Sequence, residues 1–280
     1  MPDISTTTTA ESPGSVQQRL AESLRRDGVA IARFADLFGD ELWRATLADA
    51  EPFIAAGQTQ IGEGADAPRK KDEYILRKYD PKKKKGTKRT DAPRPTISLE
   101  SPLLRIGASD TLLDLVNGYR NERTTLYYAD YWFTLPYPRA PERIASQRWH
   151  RDPEEQHVVK AFLYLSDVDE QAGPLQYVQG SAPGSRYGDL WPWGSETEYP
   201  PPEELERTIE PSDILTLTGA AGTLIVCDTS GFHRGGFART KPRALCALTY
   251  VGPAADGRRF VVDFAGRSDE LSEQALAALT

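Results

Sequence analysis

The chain has 280 residues, a net charge of −7, 39% apolar residues, two cysteines and three histidines. That is enough apolar sequence for a substantial core in one large domain or two small ones. The acidity argues against nucleic-acid binding. The lack of a membrane-length apolar run or a basic-then-apolar leader argues against a membrane span and a secretory signal, so we expect a cytoplasmic protein with Cys227 and Cys246 packed as reduced residues.

Residues 1–14, rich in Thr, Ser and Pro, read as a disordered leader, and 15–280 as a single domain. Ser15-Val16-Gln17-Gln18 has the form of a capping box. It opens a helix with Val16, Leu20 and Leu24 on one face and Gly28 as the stop. A short strand is predicted over 29–34. Asp40 opens a second helix carrying Leu42, Trp43 and Leu47, and Pro52 is expected to disturb its last part, so the N-terminal helices fall within 15–57.

From 58 to 95 the periodicity is lost. This basic loop carries twelve Lys/Arg against four Asp/Glu between 69 and 94, with the lysines 82–85 at its centre. A solvated charged loop is the plain reading. A collar for an anionic substrate or an acidic carrier is the sharper one.

A short helix over 111–119 and a strong aromatic and β-branched strand over 124–135 come next. Further strands are predicted around 147–152, 158–166, 174–178, 213–218, 223–228, 243–251 and 259–264, with a closing helix within 268–279. A Pro- and Trp-rich excursion over 182–211 interrupts them, and Trp191 and Trp193 in it are candidate walls of a substrate pocket. The fold class is therefore mainly β with flanking helices: a jelly-roll core over about 124–265, helices on one outer face.

The chemistry concentrates in Trp149-His150-Arg151-Asp152. In an extended backbone His150 and Asp152 share a face. An imidazole and a carboxylate on one face are two-thirds of the facial triad that holds non-haem Fe(II). Two histidines remain. His157 follows the polar run Glu154-Glu155-Gln156, whereas His233 sits among glycines in Gly231-Phe232-His233-Arg234-Gly235-Gly236, where another group can approach closely. His233 is the favoured third ligand. Ten residues on, Arg243 enters an apolar strand and should seek a carboxylate partner, with Arg239 as the alternative anion binder.

These pieces, with Gly173-Pro174-Leu175-Gln176-Tyr177-Val178-Gln179-Gly180-Ser181, resemble the phytanoyl-CoA dioxygenase family of Fe(II)/2-oxoglutarate-dependent oxygenases over roughly 127–253. The resemblance implies a double-stranded β-helix core and a catalytic iron held by His150, Asp152 and His233. It implies that Arg243 clamps the distal carboxylate of 2-oxoglutarate, with Lys160 and Thr134 as further polar contacts to that cosubstrate. O2 is the other cosubstrate, and a small-molecule substrate is oxidised as succinate and CO2 are released. Related halogenases carry Gly or Ala where Asp152 stands, so hydroxylation is expected over halogenation. The chain departs from the family pattern at Ala182, where His is frequent, and at Gly235, where Ser is frequent. Two other classes compete: a Zn-dependent hydrolase using the same ligands, which has no need of Arg243, and a non-catalytic jelly-roll binding protein.

Overall fold

A computed structural model of the chain describes residues 13–64, 74–79, 93–192, 194–195, 199–255 and 257–280. The expected leader up to residue 12, the lysines 82–85 and Trp193 lie outside the described residues.

Strand alternation sets the architecture. In β5 (Val159–Tyr164), Val159, Ala161 and Leu163 face one way while Lys160, Phe162 and Tyr164 face the other. In β10 (Arg243–Val251), Ala244, Cys246 and Leu248 separate in the same way from Arg243, Leu245 and Thr249. β10 lies between β5 and β4 (Thr125–Thr134), antiparallel to both. The sheet extends through β8 (Thr223–Asp228) to β1 (Val29–Arg33) at one edge, and to β2 (Ile75–Arg77) at the other. A second antiparallel sheet holds β7 (Ile214–Leu217), β6 (Leu175–Val178) and β9 (His233–Arg234) in that order. Phe162, Tyr164, Leu175, Tyr177, Leu217 and Ile225 fill the space between the sheets. This is the jelly roll that the strand pattern predicts.

The outer face of the six-stranded sheet is covered by helices. α1 (Pro13–Asp27) contributes Val16, Leu20 and Leu24, all nearly inaccessible. α2 (Asp40–Gly64), α3 (Pro102–Gly107), α4 (Asp110–Arg120) and α6 (Glu273–Leu279) join it around the larger core. Ser109 caps α4 by accepting from the Leu112 amide, and Asn121 ends it in the left-handed region.

The structure corrects the sequence reading in six places. α1 begins at Pro13, so Ser15 lies inside the first turn rather than capping it. α2 continues through Pro52 to Gly64, because Phe53, Ile54 and Ile61 keep packing on the core after the one hydrogen bond that proline removes. The major sheet recruits β1 and β2 from ahead of residue 124, and β2 falls inside the stretch read as a loop. The last predicted strand shortens to β11 (Val261–Asp263), which pairs in parallel with β3 (Thr96–Ser98) as a separate ribbon. Over 147–152 there is no strand: a 3-10 turn (Ala145–Gln147) leads to a single bridge at His150. The excursion, read as irregular, contains α5 (Pro202–Thr208).

Gly28 joins α1 to β1 with φ +75°, and a Cβ there would stand 2.3 Å from the Tyr177 hydroxyl. We expect Gly28→Ala to destabilise the protein by about 2–4 kcal/mol, from left-handed strain plus overpacking. In a Tyr177→Phe background the cost should shrink. Urea unfolding of the four proteins measures both, and an unaltered midpoint in Gly28→Ala would contradict the packing described.

Candidate active site

His150 and His233 face each other across a reciprocal pair of backbone hydrogen bonds. The His150 amide donates to the His233 carbonyl (3.1 Å) and the His233 amide to the His150 carbonyl (3.0 Å). Directly opposed residues of an antiparallel pair project to one side, and the two imidazole centroids lie 4.2 Å apart. Two residues on, the Asp152 amide donates to the Thr229 carbonyl (2.9 Å) and its carboxylate turns to the same side. The 228–233 loop is fixed from below. Asp228 accepts from the Ser230 amide and from the Tyr119 hydroxyl on α4.

The electrostatics set both tautomers. Nδ1 of His150 contacts the Arg148 carbonyl (2.9 Å), and Nδ1 of His233 contacts the Gly231 carbonyl (3.1 Å). A carbonyl can only accept, so each Nδ1 carries the proton and each Nε2 presents a lone pair. Burial lowers the pKa of both imidazoles, that of His233 to about 3 with His150 adding to the effect. Both are neutral at physiological pH. Burial pushes the Asp152 carboxyl up, but the neighbouring Lys160 ammonium outweighs it and holds it ionised. Nε2 of His150 lies 3.9 Å from Asp152 Oδ1, and Nε2 of His233 lies 3.6 Å from Oδ2.

The donor set fits a divalent metal. With ligand bonds near 2.1 Å, neighbouring octahedral ligands sit about 3.0 Å apart and opposite ones about 4.2 Å apart. A facial set takes three adjacent ligands, and the measured 3.6 and 3.9 Å exceed that spacing by less than about 1 Å, with the three donor atoms all within 4.8 Å of one another. Asp152 Oδ2 also lacks an aligned hydrogen bond although Lys160 Nζ lies 2.7 Å away, so that contact is an ion pair only.

A cavity of about 210 Å³ opens beside the three residues. Phe162, Leu175 and Leu245 form apolar walls, and Arg243 lies among them, buried. Burial lowers the Arg243 pKa. The hydroxyls of Tyr164 and Tyr74 favour its charge, but no carboxylate does, and its Nε has no hydrogen-bond partner. Gly235 and Gly236 lie against the guanidinium: a Cβ at either would be 3.6 and 3.5 Å from its nitrogens. The departure at Gly235 therefore leaves open space beside Arg243 where a serine side chain would reach in. Thr134 is directly opposite Arg243 in the ladder, and its buried Oγ1 has no partner. Lys160 also lines the cavity, although its ammonium is committed to Asp152. His157 is exposed and stands apart from the triad. Arg239 donates to the Ala140 carbonyl, away from the cavity lining.

Trp191 does not line the cavity. It packs with Trp149, Val178, Tyr187, Leu205 and Phe232 in a third, smaller core. The excursion reaches the cavity through Tyr199 instead, whose ring centroid is 6.0 Å from that of His150. Sequence reasoning also missed Ile75 and Ser146 on the lining. The Tyr74 and Ser146 hydroxyls hydrogen-bond at 2.6 Å, tying β2 to the turn before His150.

The largest omission was Arg151, between the two ligand candidates. Its guanidinium stacks 4.0 Å from the centroid of Phe232 and donates to the carbonyls of Ser181, Tyr187, Gly188, Leu190, Trp191 and Ser230. One planar fork thereby ties the excursion to the loop that carries His233. The only sequence signal was an arginine flanked by two buried residues.

Residues 108–244 match the family model of phytanoyl-CoA dioxygenase (PhyH). No curated protein matches the chain significantly. Among solved structures, EctD from S. alaskensis in its apoform is 18% identical with a TM-score of 0.58, over 100% of this chain and 91% of that one. The non-heme alpha ketoglutarate dependent carbocyclase SnoK from nogalamycin biosynthesis is 14% identical with a TM-score of 0.56, over 94% of each chain. The epimerase SnoN, in complex with Fe3+, alpha ketoglutarate and nogalamycin RO, is 17% identical with a TM-score of 0.52, over 88% of this chain and 87% of that one. At these identities the likeness is one of fold.

Lysine cannot reproduce the fork of Arg151. We expect Arg151→Lys to cost about 2–3 kcal/mol and to speed proteolytic cleavage within 182–201. Cleavage at the parent rate would show that the excursion is held by its apolar contacts alone.

Proposed function

We propose, from the match of residues 108–244 to the phytanoyl-CoA dioxygenase family model, that this protein hydroxylates an unactivated C–H bond of a small-molecule, secondary-metabolite substrate. Its class is the iron(II)- and 2-oxoglutarate-dependent oxygenases, with O2 as the other cosubstrate. His150, Asp152 and His233 would hold the iron through two neutral imidazoles and a carboxylate.

Arg243 carries the reading. A buried guanidinium without a carboxylate of its own, in the same cavity as the triad, supports an anionic cosubstrate docking there. Its planar fork suits a carboxylate bidentately, and Thr134 Oγ1 would supply a further polar contact. A hydrolase or a simple binding protein has no use for that second anchored anion.

When bound, iron with 2-oxoglutarate and O2 supplies the oxidation, as succinate and CO2 are released. The chain's own part is placement and exclusion of water. The Nδ1–carbonyl hydrogen bonds hold each imidazole in the tautomer that ligates through Nε2. Lys160 keeps Asp152 ionised and turned inward. Phe162, Leu175 and Leu245 keep the interior dry around the reacting groups.

Asp152 argues against halogenation, since a protein carboxylate occupies the position a halide would need. Epimerisation and ring closure, the reactions named for SnoN and SnoK, stand as the alternatives to hydroxylation. Product formed under 18O2 separates them, because only hydroxylation places the label in the oxidised substrate. We read the substrate as anionic or carrier-bound from the charge of 69–94.

Two substitutions test the site. We expect His233→Ala to abolish iron-dependent succinate formation and His157→Ala to leave it intact; equal loss in both would overturn the ligand set. Arg243→Lys keeps the charge but loses the fork, and should weaken 2-oxoglutarate binding by about 1–3 kcal/mol, as for other charge-assisted hydrogen bonds. An unchanged Michaelis constant for 2-oxoglutarate would move the clamp to another residue.

A further inference from the structure

Besides Asp152, Lys160 and Arg243, three charged side chains line the cavity: Arg77, Glu154 and Arg259. Arg77 sits over the Trp132 ring, 5.1 Å from its centroid, beside the Arg243 end of β4, which leaves Glu154 and Arg259 without a role. Glu154 follows Asp152 by two residues and lines the cavity, and its Oε2 is buried without a hydrogen-bond partner. It lies close enough to Lys160 and His150 to favour their charged forms. The Lys160 ammonium, however, is paired with Asp152 and not with Glu154. The adjacent Glu155 is engaged elsewhere, accepting from the Gly252 amide and pairing with Arg120. Of this acidic pair only Glu154 lines the cavity, and its Oε2 has no hydrogen-bond partner. A buried acceptor left unpaired costs about 1–3 kcal/mol, and a donor arriving with a ligand recovers it.

Arg259 is the second charge. Its amide donates to the Tyr127 carbonyl (2.9 Å), which places it at the start of β4. Its guanidinium lies 5.4 Å from the centroid of the Tyr127 ring and lines the same cavity. Arg243 pairs with Thr134 at the other end of β4, whereas Thr249 pairs with Tyr128 at this end. Six residues of β10 separate those two levels, about 20 Å of strand. The two guanidinium groups therefore serve opposite ends of the cavity, and Arg259 is not a second clamp for the same cosubstrate. Glu154 and Arg259 also form no ion pair with each other among the described residues. Opposite charges that line one cavity without neutralising each other are complementary to a ligand carrying both signs.

We propose that Glu154 and Arg259 read the prime substrate, and that its anionic group is accompanied by a protonated amine, as in an amino-acid-like zwitterion. Glu154 takes its protonated amine and Arg259 its anionic group. The Tyr127 and Tyr128 rings, with Trp132, line the space around its carbon skeleton. This rests on the oxygenase reading above and assigns its substrate class.

The test uses the full chain loaded with Zn(II), which does not turn over, and with saturating 2-oxoglutarate so that Arg243 is already occupied. Four probes of equal length are titrated by ligand-observed NMR: 4-aminobutyrate, butylammonium, butyrate and butanol. We expect 4-aminobutyrate to bind at least about tenfold more tightly than any other, equivalent to about 1.4 kcal/mol. Glu154→Gln should weaken 4-aminobutyrate and butylammonium about tenfold and spare butyrate. Arg259→Gln should weaken 4-aminobutyrate and butyrate and spare butylammonium. Glu154→Gln is isosteric and Arg259→Gln keeps a polar side chain while removing the guanidinium, and 2-oxoglutarate binding in each variant reports an intact site. If 2-oxoglutarate binds but butanol matches 4-aminobutyrate, or if neither variant changes the order, the two charges are a solvated rim and the proposal fails. If 2-oxoglutarate does not bind the parent, the oxygenase reading fails and this one with it.

Discussion

The site depends on the reciprocal backbone pairing of His150 with His233. Among the described residues those two hydrogen bonds are the only ladder contact between the 150–152 segment and β9, yet they fix two imidazoles on one side at ring-contact distance. The Asp152–Thr229 bond extends the same zipper by one step and adds the carboxylate. Everything around this seam restrains one of its two halves. Arg151 collects carbonyls from the loop and the excursion. Asp228 anchors the loop to α4 through Tyr119. Trp149 hydrogen-bonds Glu206 on α5, and the Arg234 guanidinium stacks on its ring.

The two faces of the major sheet divide the work. Its outer face, with α1, α3 and α4 against it, is apolar and supplies most of the buried hydrophobic surface. The inner face carries Lys160, Arg243, Thr134 and Asp130, all nearly inaccessible. Burying charge costs free energy unless it is paired. Asp152 and Lys160 offset each other, and Asp130 accepts from the Tyr128 hydroxyl and two backbone amides. Arg243 has no such partner, and on the proposed reading the cost of burying it is recovered when 2-oxoglutarate docks. A helix-backed sheet is what lets the inner face hold groups that would weaken a smaller core.

What the sequence revealed follows from periodicity. β4, β5, β8 and β10 are long runs of β-branched, aromatic and apolar residues, and all appear near their expected bounds. His150 and Asp152 share a face as alternation predicts, although a single bridge replaces the expected strand. His233 and Arg243 were legible because a Gly-flanked histidine and a lone arginine are out of place in apolar sequence. β2 and α5 were not legible. Three residues of strand are stabilised by the ladder with β4 rather than by their own pattern, and α5 is short and capped by prolines. The roles of Arg151 and Tyr199 arise from contacts 30 or more residues away, which local spacing does not encode. Trp191 attracted notice for its size, and size put it in a core rather than on the cavity wall.

On the proposed reading, iron(II) and 2-oxoglutarate meet in this cavity and Arg243 holds the distal carboxylate. The most direct measurement is the visible absorption spectrum of the purified protein under anaerobic conditions, as iron(II) and then 2-oxoglutarate are added. Chelation of 2-oxoglutarate to iron should produce a weak charge-transfer band that neither addition produces alone and that 2-oxoglutarate saturates. If iron(II) binds but 2-oxoglutarate yields no band at any concentration, the triad holds a metal for some other chemistry and the assignment of Arg243 is wrong.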